Sequence, residues 1–273
     1  MIAEDTLRIL KEGEYTTTRG ASVSIREAVR ESVAGSVHYT EALLHTIQAK
    51  LSGELALAGT VPTVFEVCEA STLEAALRLT NEGVADIFAL NFASARNPGG
   101  GFLGGAQAQE ESLARSSGLY LTLTEHFAMY ETNRKFTSCL YTDQMIYSPG
   151  VPVFKDDDGA LLDRFYRLSF ITAPAVNAGV IRQNEPQRID EIGPVMLARI
   201  DKVLSVALQH GHKTLLLGAW GCGVFKNEPA DVAAYFAQHL LQGRYTNRFE
   251  RVVFAVMARE DRFIAPFREH FAK

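Results

Sequence analysis

Apolar and polar positions along this chain alternate between a helical period and a strand period. Ala3 to Glu12 and Ser24 to Ala34 carry apolar residues at helical spacing, and the polar stretch Tyr15 to Gly20 separates them. Ser22 and Ser24 are candidate N-caps, with Glu27 three residues after Ser24 as a capping box requires. Thr63 to Cys68 reads as a strand. Ser71 or Thr72 then caps a helix from Leu73 to Asn81, which Gly83 ends. Asp86 to Phe92 is a second, buried strand that runs straight into a run of glycines. Glu110 to Met129 reads as a helix, with Leu113, Leu119 and Leu123 among its apolar positions. Gln144 to Tyr147 is a short strand before a turn at Ser148-Pro149-Gly150-Val151-Pro152, and Val153-Phe154 continue it. Asp156 to Gly159 is a hairpin-type turn. Tyr166 to Ala173 is a strand stopped by Pro174. Gly193 to His210 is a long helix, Lys213 to Trp220 a strand, and Asp231 to Gln242 a helix. Arg251 to Ala258 is a last apolar strand before a short helix through Phe271.

Strands that alternate with helices predict an α/β fold, a largely parallel or mixed sheet with helices on both faces. No repeat, low-complexity segment or linker divides the 273 residues. One domain over residues 1–273 is expected, with residues 1–55 as a helical N-terminal extension. The hydrophobic fraction of 47% and charged fraction of 22% are those of a globular protein with a sizeable core. A net charge of -5 without long Lys or Arg runs argues against broad binding to duplex nucleic acid. Cys68, Cys139 and Cys222 fit neither a zinc spacing nor a disulfide framework, so a reduced, cytoplasmic chain is expected. The first residues lack a signal peptide, and no apolar run reaches the ~20 residues of a membrane helix. Neither cofactor nor metal is called for.

The chemistry concentrates where strands end. Asn97-Pro98-Gly99-Gly100-Gly101 follows the Asp86 to Phe92 strand, and seven residues later comes Gln109-Glu110-Glu111 at a helix start. In open α/β sheets ligands bind beyond the carboxyl ends of strands. A helix N-terminus adds free N–H groups and partial positive charge. The bland reading is a flexible turn followed by helix-capping acids. Five glycines between Gly99 and Gly105 are many for a turn. A second loop, Gly218-Ala219-Trp220-Gly221-Cys222-Gly223-Val224-Phe225, also joins a strand to a helix. It matches neither a P-loop nor the dinucleotide fingerprint, and alone it reads equally as a tight connection. Two such loops in one domain would form one crevice for a phosphorylated or sugar-bearing ligand. A third loop after Ile171-Thr172-Ala173 places Asn177 at a strand end, where its amide can meet a ligand, although a structural loop is the commoner case.

Other positions carry less. The histidines are scattered, and His210 and His212 sit at a helix end where cations suit the dipole. Asp156 to Asp158 lacks calcium-loop spacing and reads as a solvated turn. Cys222 reads as a small packing residue rather than a nucleophile. Trp220 reads as core rather than as a stacking platform.

Gly99-Gly100-Gly101, seven residues, then Gln109-Glu110-Glu111 resembles the signature of poly(ADP-ribose) glycohydrolases. Asn91 to Pro98 and Gly218 to Phe225 resemble the microbial branch, and the likeness spans nearly the whole chain. The resemblance implies a macrodomain-like three-layer α/β/α sandwich around a mixed sheet, and hydrolysis of ribose–ribose O-glycosidic bonds. It implies poly(ADP-ribose) or ADP-ribose as ligand and ADP-ribosylated proteins as partners. By position it implies Glu111 as the catalytic glutamate and Glu110 as the neighbour that positions the distal ribose. Gly99, Gly100 and Gly101 would surround diphosphate and ribose, and Gln109 of the signature would be a further substrate-binding residue. Gly221, Cys222, Gly223 and Val224 would form the second diphosphate loop. Phe225 would order the distal ribose, and Asn97 and Asn177 would contact ligand. Glu69 is the candidate adenine contact. Adjacent helical residues point about 100° apart, so Glu110 and Glu111 need not form a dyad. Both proton steps then fall to Glu111, aided by the like charge of Glu110. A reader of ADP-ribose without turnover, a mono-ADP-ribosyl hydrolase and a ligand-free structural domain are the competing expectations.

Overall fold

The helices and strands lie mostly where the periodicity puts them. A computed structural model describes residues 2–258 and 260–272. The chain opens with α1 (Ile2–Glu12), β1 (Glu14–Thr16), β2 (Ser22–Ser24), α2 (Arg26–Ala34), β3 (Val37–Tyr39) and α3 (Glu41–Leu55). It continues through β4 (Val64–Cys68), α4 (Thr72–Asn81), β5 (Ile87–Phe92), α5 (Gln109–Ser116), α6 (Leu119–Glu125) and α7 (Ala128–Lys135). The hairpin β6 (Met145–Lys155) and β7 (Leu161–Ala173) precedes α8 (Ala178–Asn184) and α9 (Ile192–Gln209). The last elements are β8 (Thr214–Leu217), α10 (Pro229–Leu240), β9 (Arg251–Ala255) and α11 (Ala265–Phe271).

The main sheet has seven strands in the order β3-β6-β7-β5-β8-β9-β4. From β7 through β5, β8 and β9 to β4 every neighbouring pair is parallel, while β6 runs against both β7 and β3. Side chains alternate faces along a strand. Phe88, Leu90, Leu215, Leu217, Val252 and Phe254 therefore pack under α3, α9, α10 and α11. Ile87, Ala89, Leu216, Val253 and Ala255 pack under α4 to α7. Each such fully buried Leu, Ile, Val or Phe side chain contributes roughly 1.5–3 kcal/mol of hydrophobic stabilisation. Helix, sheet and helix make three layers, and the parallel strands deliver all their carboxyl ends to one edge.

The structure departs from the expected pattern at four places. Ser22 and Ser24 cap nothing: they lie in β2, whose Val23 pairs with Tyr15, and Ile25 stands at the N-cap position of α2 without a side-chain bond. Residues 2–55 are accordingly not helical throughout, since β1 and β2 form a hairpin and β3 edges the main sheet. The helix expected over Glu110 to Met129 is three helices. Ser117 is extended and bridges Val153, and the Gly118 N–H donates to the Pro152 carbonyl at 3.0 Å. The turn expected at Ser148 to Pro152 is instead an irregularity inside β6, where the register against β7 shifts between Ser148 and Val151. Of the two expected caps of α4 it is Ser71 that serves, in a capping box with Glu74 in which each side chain meets the other's backbone N–H. Among the described residues no helix is long and apolar enough to cross a membrane.

Candidate active site

β5 is the middle strand of the seven-stranded sheet, and its carboxyl end leads into the first glycine loop. Ser94 shapes the entry, because its hydroxyl accepts from the N–H groups of Arg96 (3.2 Å) and Asn97 (3.1 Å). The Gly100 N–H donates to the Asn97 carbonyl at 3.0 Å, which turns the chain back toward α5. Phe102 is fully buried beneath the loop, packed with Ala3 of α1 and Ala114 of α5, its ring 4.8 Å from that of Tyr120. The Thr6 hydroxyl of α1 also donates to the Arg115 carbonyl. The N-terminal helix thus braces the loop from outside.

The first turn of α5 carries both carboxylates, and the glycine loop moulds itself to them. The Gly101 N–H donates to Glu111 Oε1 at 2.9 Å. The Ser94 N–H donates to Glu110 Oε2 at 2.6 Å, and Asn91 Nδ2 to Glu110 Oε1 at 3.3 Å. Gly100 lies against both groups at φ 60°. A Cβ there would fall 2.2 Å from Glu111 Oε1 and 3.2 Å from Glu110 Oε2. The left-handed backbone favours glycine, and any Cβ would have to push the Glu111 carboxylate from its place.

Glu110 is buried and Glu111 half-buried. Burial pushes the Glu110 carboxyl up from 4.5 to about 8, against the lowering pull of the Ser94 N–H and Asn91 amide. At neutral pH Glu110 is therefore largely protonated. It does not act as the fixed like charge that the adjacency of two glutamates suggests.

Gln109 does not face outward. Its Oε1 accepts from the Phe92 N–H at 2.8 Å, and its Nε2 donates to the Leu90 carbonyl (2.8 Å) and the Thr72 hydroxyl (3.0 Å). It stitches α5 to the end of β5 and to α4, and so fixes where the next two residues stand. Asp157 is similarly occupied rather than solvated, accepting from the hydroxyls of Ser112 (2.6 Å) and Ser71.

The second loop leaves β8, which pairs with β5. A Cβ at Gly218 would lie 2.9 Å from Phe92 Cζ, so the two loops start in contact. Gly221 takes φ 73°, and a Cβ there would meet Ala175 Cβ and Asn227 Nδ2 at 2.6 Å. Asn227 holds the turn by donating to the carbonyls of Val176 (2.7 Å) and Gly221 (3.1 Å). Among the described residues no group accepts from the N–H of Gly223, Val224 or Phe225. Gly223 is exposed and Val224 is 76% exposed. Three consecutive N–H donors are the makings of an anion nest. Cys222 is buried, and burial pushes its thiol up, so it is not a thiolate nucleophile. Trp220 is core, its Nε1 donating to the Ala173 carbonyl at 3.1 Å.

The remaining candidates divide. Asn97 is exposed, and its Oδ1 accepts from Arg134 Nη2 at 3.1 Å. A guanidinium only donates, so the bond sets the amide and leaves its NH₂ for a ligand. Arg134 also donates to the Arg96 carbonyl at 2.8 Å and lies 4.9 Å over the Phe127 ring. Asn177 caps α8, its Oδ1 accepting from the Val180 N–H at 3.1 Å. Phe225 is half-buried against Tyr141. Glu69 is exposed at the end of β4, 4.0 Å from Arg268.

Asn91, quoted above only as part of a motif, and Arg134, Tyr141 and Arg199, which were not expected at all, also support the site. An asparagine inside the apolar run of β5 and an arginine inside the apolar run of α9 were visible signals. Arg134 and Tyr141 carried none.

A family model for the microbial-type PARG catalytic domain matches residues 3–156. No curated protein matches the chain. The poly(ADP-ribose) glycohydrolase from Thermomonospora curvata is 46% identical, with 99% of this chain and 97% of that one covered at a TM-score of 0.91. The same enzyme bound to the inhibitor ADP-HPD is 45% identical, covering 99% and 98% at 0.90. The poly(ADP-ribose) glycohydrolase from Deinococcus radiodurans in complex with ADP-ribose is 43% identical, covering 89% and 96% at 0.82. With a seven-stranded mixed sheet between helical layers and a glycine loop folded onto two glutamates, the chain belongs to the microbial-type poly(ADP-ribose) glycohydrolase family.

Proposed function

We propose that this chain hydrolyses the ribose–ribose O-glycosidic bonds of poly(ADP-ribose), with Glu111 as general acid and then general base. The observation that carries the reading is the Glu111 carboxylate, held by the Gly101 N–H at 2.9 Å and half-buried at the end of the central strand. The solved relatives that hold ADP-ribose or ADP-HPD support the ligand class.

The second loop takes the diphosphate on the N–H groups of Gly223, Val224 and Phe225. Gly221 and Cys222 shape that loop rather than touch the phosphates with side chains. Gly99, Gly100 and Gly101 spend their N–H groups on the turn and the carboxylates, so their part is to let ribose approach Glu111. Neutral Glu110 keeps an O–H donor and positions the distal ribose, with Asn97 offering its NH₂ and Phe225 its ring. Asn177 lines the same end, and Gln109 positions the glutamates from behind.

In the first step the bond between the distal ribose anomeric carbon and the bridging oxygen breaks. The electron pair leaves on that oxygen, which takes the proton of Glu111, and an oxocarbenium-like sugar remains. In the second step Glu111, now a carboxylate, removes a proton from water as its oxygen bonds to the anomeric carbon. Glu111 ends protonated, ready for another turn. Diphosphate binding supplies the positioning that both steps require.

The whole chain acts as one catalytic domain in this reading. Leu44, Ile47, Leu51 and Leu55 of the N-terminal segment join the same core as β5 and β8. Cys68, Cys139 and Cys222 are free thiols, which suits a reducing cytoplasm. Incubation with poly(ADP-ribose) and identification of products tests the proposal. Free ADP-ribose is expected, and intact polymer with bound ADP-ribose would make the chain a reader instead.

A further inference from the structure

Tyr141 stands in backbone geometry that a tyrosine rarely adopts. Its φ is 58°, and the other non-glycine residues with positive φ among those described are Lys226 (57°) and Asn247 (57°). Asparagine tolerates this region, whereas a bulky residue there is an outlier. Tyr141 and Lys226 are distant in sequence, yet they flank a single contact: the Tyr141 ring lies 5.9 Å from that of Phe225, which precedes Lys226. Strained residues gather where surrounding structure holds them for a purpose.

The holding here is extensive. Arg199 is fully buried, and its Nη2 donates to the carbonyls of both Leu140 (3.0 Å) and Tyr141 (3.2 Å), while Nη1 donates to Pro174 (2.9 Å). Asp143 pairs with Arg199 at 2.8 Å and with Lys202. Burial opposes the Asp143 charge, but Arg199 and Lys202 hold its carboxyl below the usual range. Asn133 accepts from the Thr142 N–H at 2.9 Å, and Glu185 from the Cys139 N–H at 2.8 Å. Helices α7 and α9 and the end of α8 thus pin one short loop. A buried cation is costly unless so paired.

The side chain so held packs on Phe225 of the second glycine loop and lies within electrostatic reach of two further loops of the crevice. Besides Phe225, burial pushes the Tyr141 phenol up, nearby Cys139 adds to this, and the Asn177 amide and Arg96 oppose it. Arg96 adjoins Asn97. Tyr141 is itself only 8% exposed, so it works through its neighbours.

We propose that Tyr141 is a positioning residue that sets the Phe225 ring and the Asn177 amide against the distal ribose. Its role rests on the reading of the crevice as an ADP-ribose site. Tyr141→Ala, Tyr141→Phe and Tyr141→Gly separate it from a merely structural one. Calorimetry with ADP-ribose and polymer kinetics are read beside thermal stability. Tyr141→Ala should weaken ADP-ribose binding and raise KM about tenfold or more, with kcat changed less. Tyr141→Phe keeps the ring and should recover most of that binding. Tyr141→Gly relieves the left-handed backbone, so its melting temperature should fall less than that of Tyr141→Ala while binding stays equally weak. Wild-type affinity in both Ala and Gly variants, or binding that simply follows thermal stability across the set, would overturn the proposal. If wild-type chain binds ADP-ribose but leaves polymer intact, the glycohydrolase reading fails while the calorimetry still judges Tyr141.

Discussion

At Gly100 two constraints coincide, a left-handed backbone and a side of the residue filled by carboxylates. Gly100→Ala should cost about 1–3 kcal/mol of stability through backbone strain. Displacing Glu111 should also cut turnover about 100-fold, as a small misplacement of a catalytic group does. Urea denaturation and kcat measured on one preparation check both. Glu110 gives a pH signature. Its folded carboxyl is raised from 4.5 to about 8, so the folded chain keeps a proton that the unfolded chain has released. The stability this group provides is full below the unfolded value and is lost as pH rises through the folded one. Urea midpoints of wild type minus those of Glu110→Gln, taken from about pH 5 to about pH 9, should fall steadily. A flat difference would contradict the burial of a protonated carboxyl. Glycine runs and acid pairs are visible as letters, which is why this part of the site was legible. The assignment of a proton to Glu110 was not, because burial is a property of the packed molecule.

Among the elements, α5 is the one whose placement matters most. Gln109 is its first residue and ties it to the end of β5 and the start of α4. Gln109→Ala leaves the Phe92 N–H and the Leu90 carbonyl without those partners and should destabilise the fold by about 1–3 kcal/mol. Equilibrium denaturation measures it, and a change below a few tenths would mean that the stitch is dispensable. The core strands were legible because they are apolar runs, two of which stop at Pro174 and Gly218. The breaks between α5, α6 and α7 were not. They are set by the partners of Ser117 and Gly118 at Val153 and Pro152, far along the chain. The strands β1, β2 and β3 are three residues each, too short for a period to declare itself.

For the whole molecule, the parallel strands β7, β5, β8, β9 and β4 gather distant loops at one edge of the sheet. The two glycine loops could be paired from sequence because each follows a recognisable strand. Tyr141, Arg134 and Arg199 enter from turns and helices whose proximity only the packing creates. A ligand that bridges these loops stabilises the folded chain. ADP-ribose at about 100 times its Kd should add about 2.7 kcal/mol, seen as a rise in melting temperature that grows with concentration. An unchanged melting temperature would argue against the crevice as its site. The central claim is that one carboxyl, Glu111, carries both proton steps. The direct measurement is release of ADP-ribose from poly(ADP-ribose) by wild type and by Glu111→Gln, with ADP-ribose binding measured on each. Loss of turnover by about 1,000-fold or more with binding retained is the predicted result. Turnover at the wild-type rate by a variant that still binds ADP-ribose would contradict it.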